Sequence, residues 1–158
     1  MRIYHTLKPI YDRESTILIL GSIPSVKSRE YNFYYAHPQN RFWNILSQLY
    51  NVTLTTIESK ESFLHDYHIA LWDTIESCEI TGSSDSSIKD IKVNNISELI
   101  NKTNINKIYC TGKTSFNIYN KYIYSQTNIK AIYLPSPSPA NAQLSLDKLV
   151  EIYNIIKS

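Results

Sequence analysis

Residues 16–43, TILILGSIPSVKSREYNFYYAHPQNRFW, decide how the chain is read. Thr16 to Leu20 is continuously apolar rather than alternating, so a strand here must bury both faces, as in a parallel sheet covered by helices on each side. A buried strand that runs into Gly, Pro and several Ser delivers a loop to the carboxyl end of such a sheet, which is where ligands bind. That loop carries Tyr31, Phe33, Tyr34 and Tyr35 as flat surfaces, His37 and Asn40 as polar groups, and Lys27, Arg29 and Arg41 as cations. Aromatic side chains are core material first, so packing of the loop on its own domain stands beside a ligand site as the alternative.

Outward from this stretch, Phe42, Trp43, Ile45, Leu46 and Leu49 recur at helical spacing and predict a helix over 40–50. Asn40 stands at or near its start, where it reads either as an N-cap or as a catalytic amide. A short helix over 59–67 with Ser59 as N-cap precedes a second strand, HIALW at 68–72, which ends in Asp73. A helix over 95–101, a third strand KIYCT at 107–111, a helix from Gly112 through Tyr124 and a fourth strand KAIYL at 130–134 follow. PSPSPANA comes next, its prolines fixing φ and stiffening the loop, and a last helix is expected over 142–156. Residues 1–15 have no periodicity and read as an irregular lead-in; 82–87 is a small polar cluster, either a flexible loop or a phosphate-contacting surface. Four strands alternating with helices predict an α/β fold, a three-layer sandwich formed by one domain over 1–158.

Sixteen Lys and Arg against 14 Asp and Glu leave a net charge of +2, which permits nucleic-acid binding without demanding it. A DNA-contacting surface must then be local, and Lys27, Arg29 and Arg41, with Lys89, Lys92 and Lys113 as further members, are the cations to form it; each alone is also an ordinary solvated charge. Cys78 and Cys110 lack metal-ligand spacing and read as free thiols in a reducing cytoplasm. The opening MRIYHTLKPIYDRES has no apolar core, and no apolar run approaches the ~18 residues of a membrane span. The expectation is a soluble cytoplasmic chain with no membrane partner.

Two segments of the opening stretch, G-S-I-P-S at 21–25 and Y-Y-A-H-P-Q-N-R-F-W at 34–43, carry a resemblance. They resemble the first motif of the uracil-DNA glycosylase superfamily, most closely its hypoxanthine (deoxyinosine) DNA glycosylase branch, and are similar to the mismatch-specific uracil glycosylases. The likeness continues at WDTIESCEITGSSDSSI (72–88), where Ile80 replaces an expected basic residue, and at Leu134-Pro135-Ser136-Pro137, which stands where the superfamily has H-P-S-P. The resemblance implies a four-stranded parallel sheet of order 2-1-3-4. It also implies a monomeric, monofunctional glycosylase without cofactor or metal that hydrolyses the N-glycosidic bond of a deaminated base in DNA, hypoxanthine first.

Carried over residue by residue, the resemblance makes Tyr35 the ring that stacks on a flipped base. Ile23 occupies the position at which mismatch-specific enzymes keep a water-activating Asn, and in the hypoxanthine branch that role passes to the Asn of H-P-x-N, here Asn40. Leu134 replaces the His that assists a departing pyrimidine, so the turn from Ser22 and Ile23 to Ser25 and the Ser28 hydroxyl are the expected support for the leaving base. Asp73, where uracil-specific relatives keep an Asn, is acceptor-only when ionised and suits the N1–H of hypoxanthine; a structural Asp is the alternative. Ser136, Pro137, Ser138, Pro139, Ala140 and Asn141, together with Lys27 and Arg41, are the expected DNA contacts. Uracil or mismatched-base removal, a damage-recognition module without catalysis, and a small-nucleotide-binding protein are the competing readings.

Overall fold

The computed structural model describes residues 1–81 and 85–158. Its centre is a sheet of four parallel strands, β2 (Ile17–Gly21), β3 (Ile69–Asp73), β6 (Lys107–Thr111) and β7 (Ala131–Leu134), in the order β3-β2-β6-β7. This is the expected 2-1-3-4 arrangement. Leu18, Ile19 and Leu20 are fully buried, and the continuous apolar run has a direct cause: alternate residues enter different cores. Leu18 and Leu20 pack with Ala70, Ile108 and Cys110 beneath α4 (Ile96–Asn101) and the helical segment 113–127, whereas Ile19 packs with Leu71 and Tyr109 on the opposite face. That second face is covered by α2 (Phe42–Tyr50), α3 (Ile57–Asp66) and α7 (Leu146–Tyr153). Each such side chain contributes about 1.5–3 kcal/mol of burial, so the sheet is held from both sides.

Residues 1–15 are irregular apart from two short pairings. Arg2–Tyr4 forms β1, the edge of a second sheet of order β1-β4-β5, antiparallel throughout, with β4 at Ile75–Glu79 and β5 at Lys89–Val93. Ile10 adds a single antiparallel bridge to Leu71. Sequence pattern misses this sheet because β1 has three residues, β5 is largely exposed, and β4 lies in a polar motif. Its apolar content is a small separate core of Ile3, Ile75, Cys78, Ile80 and Ile118. Ile80, considered above as a departure from a DNA-contacting cation, is 5% exposed and belongs to that core. Of the polar cluster at 82–87, residues 82–84 lie outside the described residues, and Asp85–Ser87 is a single 3-10 turn.

Helix boundaries shift for reasons of capping. α3 begins at Ile57 with Thr56 as N-cap, and Ser59 is the third helical residue of a reciprocal capping box. α7 starts at Leu146 under the Ser145 hydroxyl rather than at 142, because residues 141–144 belong to the proline-rich loop. α2 starts at Phe42, two residues after Asn40. The helix expected over 112–124 comprises α5 (Lys113–Ile118), a π turn at Tyr119–Ile123 and α6 (Tyr124–Thr127).

Candidate functional site

Parallel register brings the strand ends together: Gly21 pairs with Asp73 and Thr111 with Leu134, so the segments that follow all leave the same edge of the sheet. After Gly21 the chain forms a turn at Ser22 to Pro24 and then α1 (Val26–Tyr31), capped by Ser25, whose hydroxyl accepts from Ser28 N–H at 3.1 Å. Ser28 is 2% exposed, and its Oγ accepts from Ala36 N–H at 3.0 Å and from the Ser25 hydroxyl at 3.2 Å. This residue therefore locks the returning loop onto α1.

The aromatic residues divide between the alternatives posed by the sequence. Phe33 stacks on Trp43 with centroids 5.8 Å apart and Tyr34 donates its hydroxyl to the Lys8 carbonyl at 2.8 Å; both are buried, and Tyr34 also borders the cavity at the sheet's carboxyl edge. Tyr35 is different. It is held at φ 53°, a left-handed conformation that a bulky side chain rarely adopts. Its ring lies against Phe42 at 3.9 Å with 17° between planes, its hydroxyl is 3.4 Å from Thr111 Oγ1, and it lines the cavity at the sheet's carboxyl edge. Burial, then the nearby Asp73 charge, pushes the Tyr34 and Tyr35 phenols well above their ordinary value, so both are neutral at physiological pH.

Asn40 closes the turn that begins at His37: its N–H donates to the His37 carbonyl at 2.9 Å, and its Oδ1 accepts from Phe42 N–H at 2.9 Å. His37 Nδ1 accepts from Gln39 N–H at 3.0 Å, which leaves the ring's Nε2 as its proton-bearing nitrogen in the neutral form. Arg41 is engaged within the protein: its guanidinium donates to the carbonyls of Pro137, Ser138, Asn141 and Leu144 and so clamps the proline-rich loop from inside. That loop is braced further by Asn141 Nδ2 on the Ser136 carbonyl, by Ser138 N–H on Ser136 Oγ and by the Tyr153 hydroxyl on the Pro135 carbonyl. Gly112 takes φ 86°, a left-handed backbone conformation that favours glycine, where the chain turns from the third central strand into α5.

These segments enclose a cavity of about 590 Å³, within the usual range for a ligand pocket. Ser22, Ile23, Ser28, Tyr35, Asn40, Asp73 and Ser136 to Ala140 all line it. Asn141 and Arg41 stand behind that loop rather than on the cavity. Lys27 lines the rim and pairs with Glu30 at 3.5 Å; Arg29 and Lys113 also line it, whereas Lys89 and Lys92 lie on β5, away from it. Leu134 is 1% exposed and belongs to the core.

Asp73 has a partner that no sequence pattern indicated. His5 Nε2 lies 2.7 Å from Asp73 Oδ2, with side chains 2% and 6% exposed. Oδ1 is pressed toward Gly21, 2.6 Å from where a Cβ on that residue would sit, so only glycine allows the approach. Burial pushes the Cys110 thiol up to about 12, which makes it inert. Among the described residues Asp12, Glu14 and His68 bring one potential metal ligand each within 4.8 Å, but none of them lines the cavity. No helix of the described residues is long and apolar enough to cross a membrane.

Residues 9–157 match the uracil DNA glycosylase superfamily. A protein from Methanosarcina barkeri named hypoxanthine DNA glycosylase is 34% identical over 110 residues, 68% of this chain and 70% of its own length. A protein of the same name from Methanosarcina acetivorans is 30% identical over 141 residues, 88% of this chain and 89% of its own. A solution NMR structure from Methanosarcina acetivorans, described provisionally as a uracil DNA glycosylase, superposes with a TM-score of 0.82 at 27% identity, covering the whole of both chains.

Proposed function

The chain belongs to the uracil DNA glycosylase superfamily, and from that premise we propose that it is a monofunctional glycosylase hydrolysing the N-glycosidic bond of deoxyinosine in DNA. One observation carries the reading: a flat ring, an amide and a carboxylate, from Tyr35, Asn40 and Asp73, line the same cavity at the carboxyl edge of the sheet. A base taken out of the duplex enters that cavity and lies against Tyr35, whose other face is backed by Phe42. Asn40 Oδ1 uses one lone pair for Phe42 N–H, and its second orients water beneath C1′. Water attacks C1′, the C1′–N9 bond breaks with its electron pair going to the base, and the proton lost from water passes to solvent. Backbone N–H groups of the Ser22 to Ser25 turn receive the negative charge on the departing base; Pro24 supplies none.

Asp73 selects the base. As an acceptor it takes the N1–H of hypoxanthine, and adenine, which has a lone pair at that position, is refused. The braced loop at Ser136 to Ala140 enters the gap left in the duplex, and Lys27, Arg29 and Lys113 meet the phosphates. The test is incubation with duplexes carrying one deoxyinosine, deoxyuridine, deoxyxanthosine or normal base, followed by alkaline scission. Cleavage strongest at deoxyinosine, with no product trapped by borohydride, is expected; trapping would assign a Schiff base to a rim lysine such as Lys113.

A second reading, damage recognition without chemistry, is favoured by the loss of two polar positions, Ile23 and the buried Leu134. Selective binding of deoxyinosine duplexes with no abasic product would establish it.

A further inference from the structure

We propose that His5 is a positioning residue for base discrimination, fixing which oxygen of Asp73 is committed to the protein and which faces the flipped base. The inference rests on the reading of Asp73 as the acceptor for hypoxanthine N1–H.

His5 lies before residue 9, where the family match begins, so that match says nothing about it. The second sheet delivers it. Ile3 and Tyr4 pair with Cys78 and Ser77, and the next residue, His5, donates its own N–H to the Glu76 carbonyl at 2.7 Å. The backbone is thereby fixed on the strand that leaves Asp73, because Thr74 N–H and Ile75 N–H are bonded to the Gly21 and Ser22 carbonyls at 2.8 and 3.0 Å. From this frame the imidazole reaches Asp73 Oδ2 at 2.7 Å in a place where both side chains are all but closed to water. A carboxylate offers acceptors alone, so Nε2 carries the proton in that bond.

Occupation of Oδ2 determines what Oδ1 does. Oδ1 lies 2.6 Å from where a Cβ on Gly21 would sit and the Tyr35 hydroxyl 3.3 Å from the same point, so the free carboxylate oxygen and the stacking ring flank one glycine that lines the cavity. Without His5 the carboxylate can turn about its Cβ–Cγ bond, and the direction of its free lone pairs is lost. A His5–Asp73 bond that merely ties β1 to the central sheet would affect stability and leave the choice of base untouched. The two roles therefore separate in a measurement of preference.

The measurement uses the full chain and single-turnover excision from duplexes with one deoxyinosine or one unsubstituted purine deoxynucleoside, which has a lone pair and no proton at N1. Melting of each variant is followed in parallel. His5→Leu is expected to lower the deoxyinosine rate about ten- to a hundredfold, the effect of one buried hydrogen bond, with the purine rate little changed. His5→Gln, which retains a donor, is expected to restore most of the preference. If His5→Leu lowers melting, His5→Phe, which keeps the ring and drops both nitrogens, repeats the test.

Asp73→Asn sharpens the result. With His5 donating to the amide oxygen, the Asn Nδ2–H group faces the base and donates to N1 of purine, so the preference reverses. In His5→Leu/Asp73→Asn the amide is free to turn, and the reversal shrinks toward parity. Equal losses on both substrates in the His5 variants, or a reversal that survives without His5, would overturn the proposal. If Asp73→Asn leaves the wild-type preference intact, the reading of Asp73 itself fails; if it reverses the preference while His5→Leu and His5→Phe do nothing, the His5 assignment alone fails.

Discussion

Asn40 performs both tasks that its position suggests, since its Oδ1 accepts from Phe42 N–H while its side chain lines the cavity. The formal cap, Arg41, makes no side-chain cap bond, so Asn40 supplies the first turn of α2 with its acceptor. Asn40→Ala should therefore lower stability by about 0.5–2 kcal/mol and also reduce the excision rate by more than about a hundredfold with damaged-DNA affinity nearly intact. Asn40→Asp should keep the cap and the stability but alter the rate, and melting and single-turnover excision on the same samples separate the two contributions. For Tyr35, replacement by Ala should cost about 1–3 kcal/mol in transition-state stabilisation, the range for base–aromatic stacking. Replacement by Phe should be mild, because the hydroxyl's contact with Thr111 is long at 3.4 Å. Equal kinetics in the Ala variant would return Tyr35 to the core. That Tyr35, Asn40 and Asp73 line one cavity was foreshadowed by the resemblance, which singled out each of them in its motifs. His5 was not, since a lone histidine in a polar stretch has no spacing to mark it and its significance comes from a strand pairing 68 residues distant from its partner.

At the scale of elements, the proline-rich loop derives its form from Arg41 as much as from its prolines. A planar guanidinium can serve the four carbonyls of Pro137, Ser138, Asn141 and Leu144 at once, which an ammonium cannot. Arg41→Lys should lower stability by about 1.5–3 kcal/mol and speed hydrogen exchange over 136–144. It should leave the salt dependence of DNA binding unchanged, because the guanidinium is committed to those carbonyls; a slope reduced by about one ion would make Arg41 a phosphate contact. The sequence revealed the four central strands through continuous burial, and it concealed the second sheet because β1 has three residues, β5 is largely exposed and β4 lies in a polar motif. Arg41 shows the same limit from another side: its charge was visible, but the carbonyls it serves lie about a hundred residues away and are set by tertiary contact.

For the whole molecule, the tyrosines give a pH dependence of fixed sign. Burial is the first cause raising the phenols of Tyr34, Tyr35, Tyr109, Tyr119 and Tyr153 above their ordinary value. The folded chain retains those protons where the unfolded chain loses them, so their contribution is intact below about pH 10 and declines as pH rises beyond it. An alkaline titration followed by tyrosinate absorbance should show the exposed tyrosines ionising near their ordinary value and the buried ones appearing together with loss of near-ultraviolet circular dichroism. Ionisation of all 13 tyrosines in one step with the fold retained would contradict that burial pattern. The central claim, that this cavity receives a flipped hypoxanthine and hydrolyses its glycosidic bond, is tested most directly by measuring the free base released from a duplex with one deoxyinosine. Hypoxanthine is expected in equal amount to abasic sites, with no adenine from the matched deoxyadenosine duplex. Tight binding of the deoxyinosine duplex with no base released would contradict it.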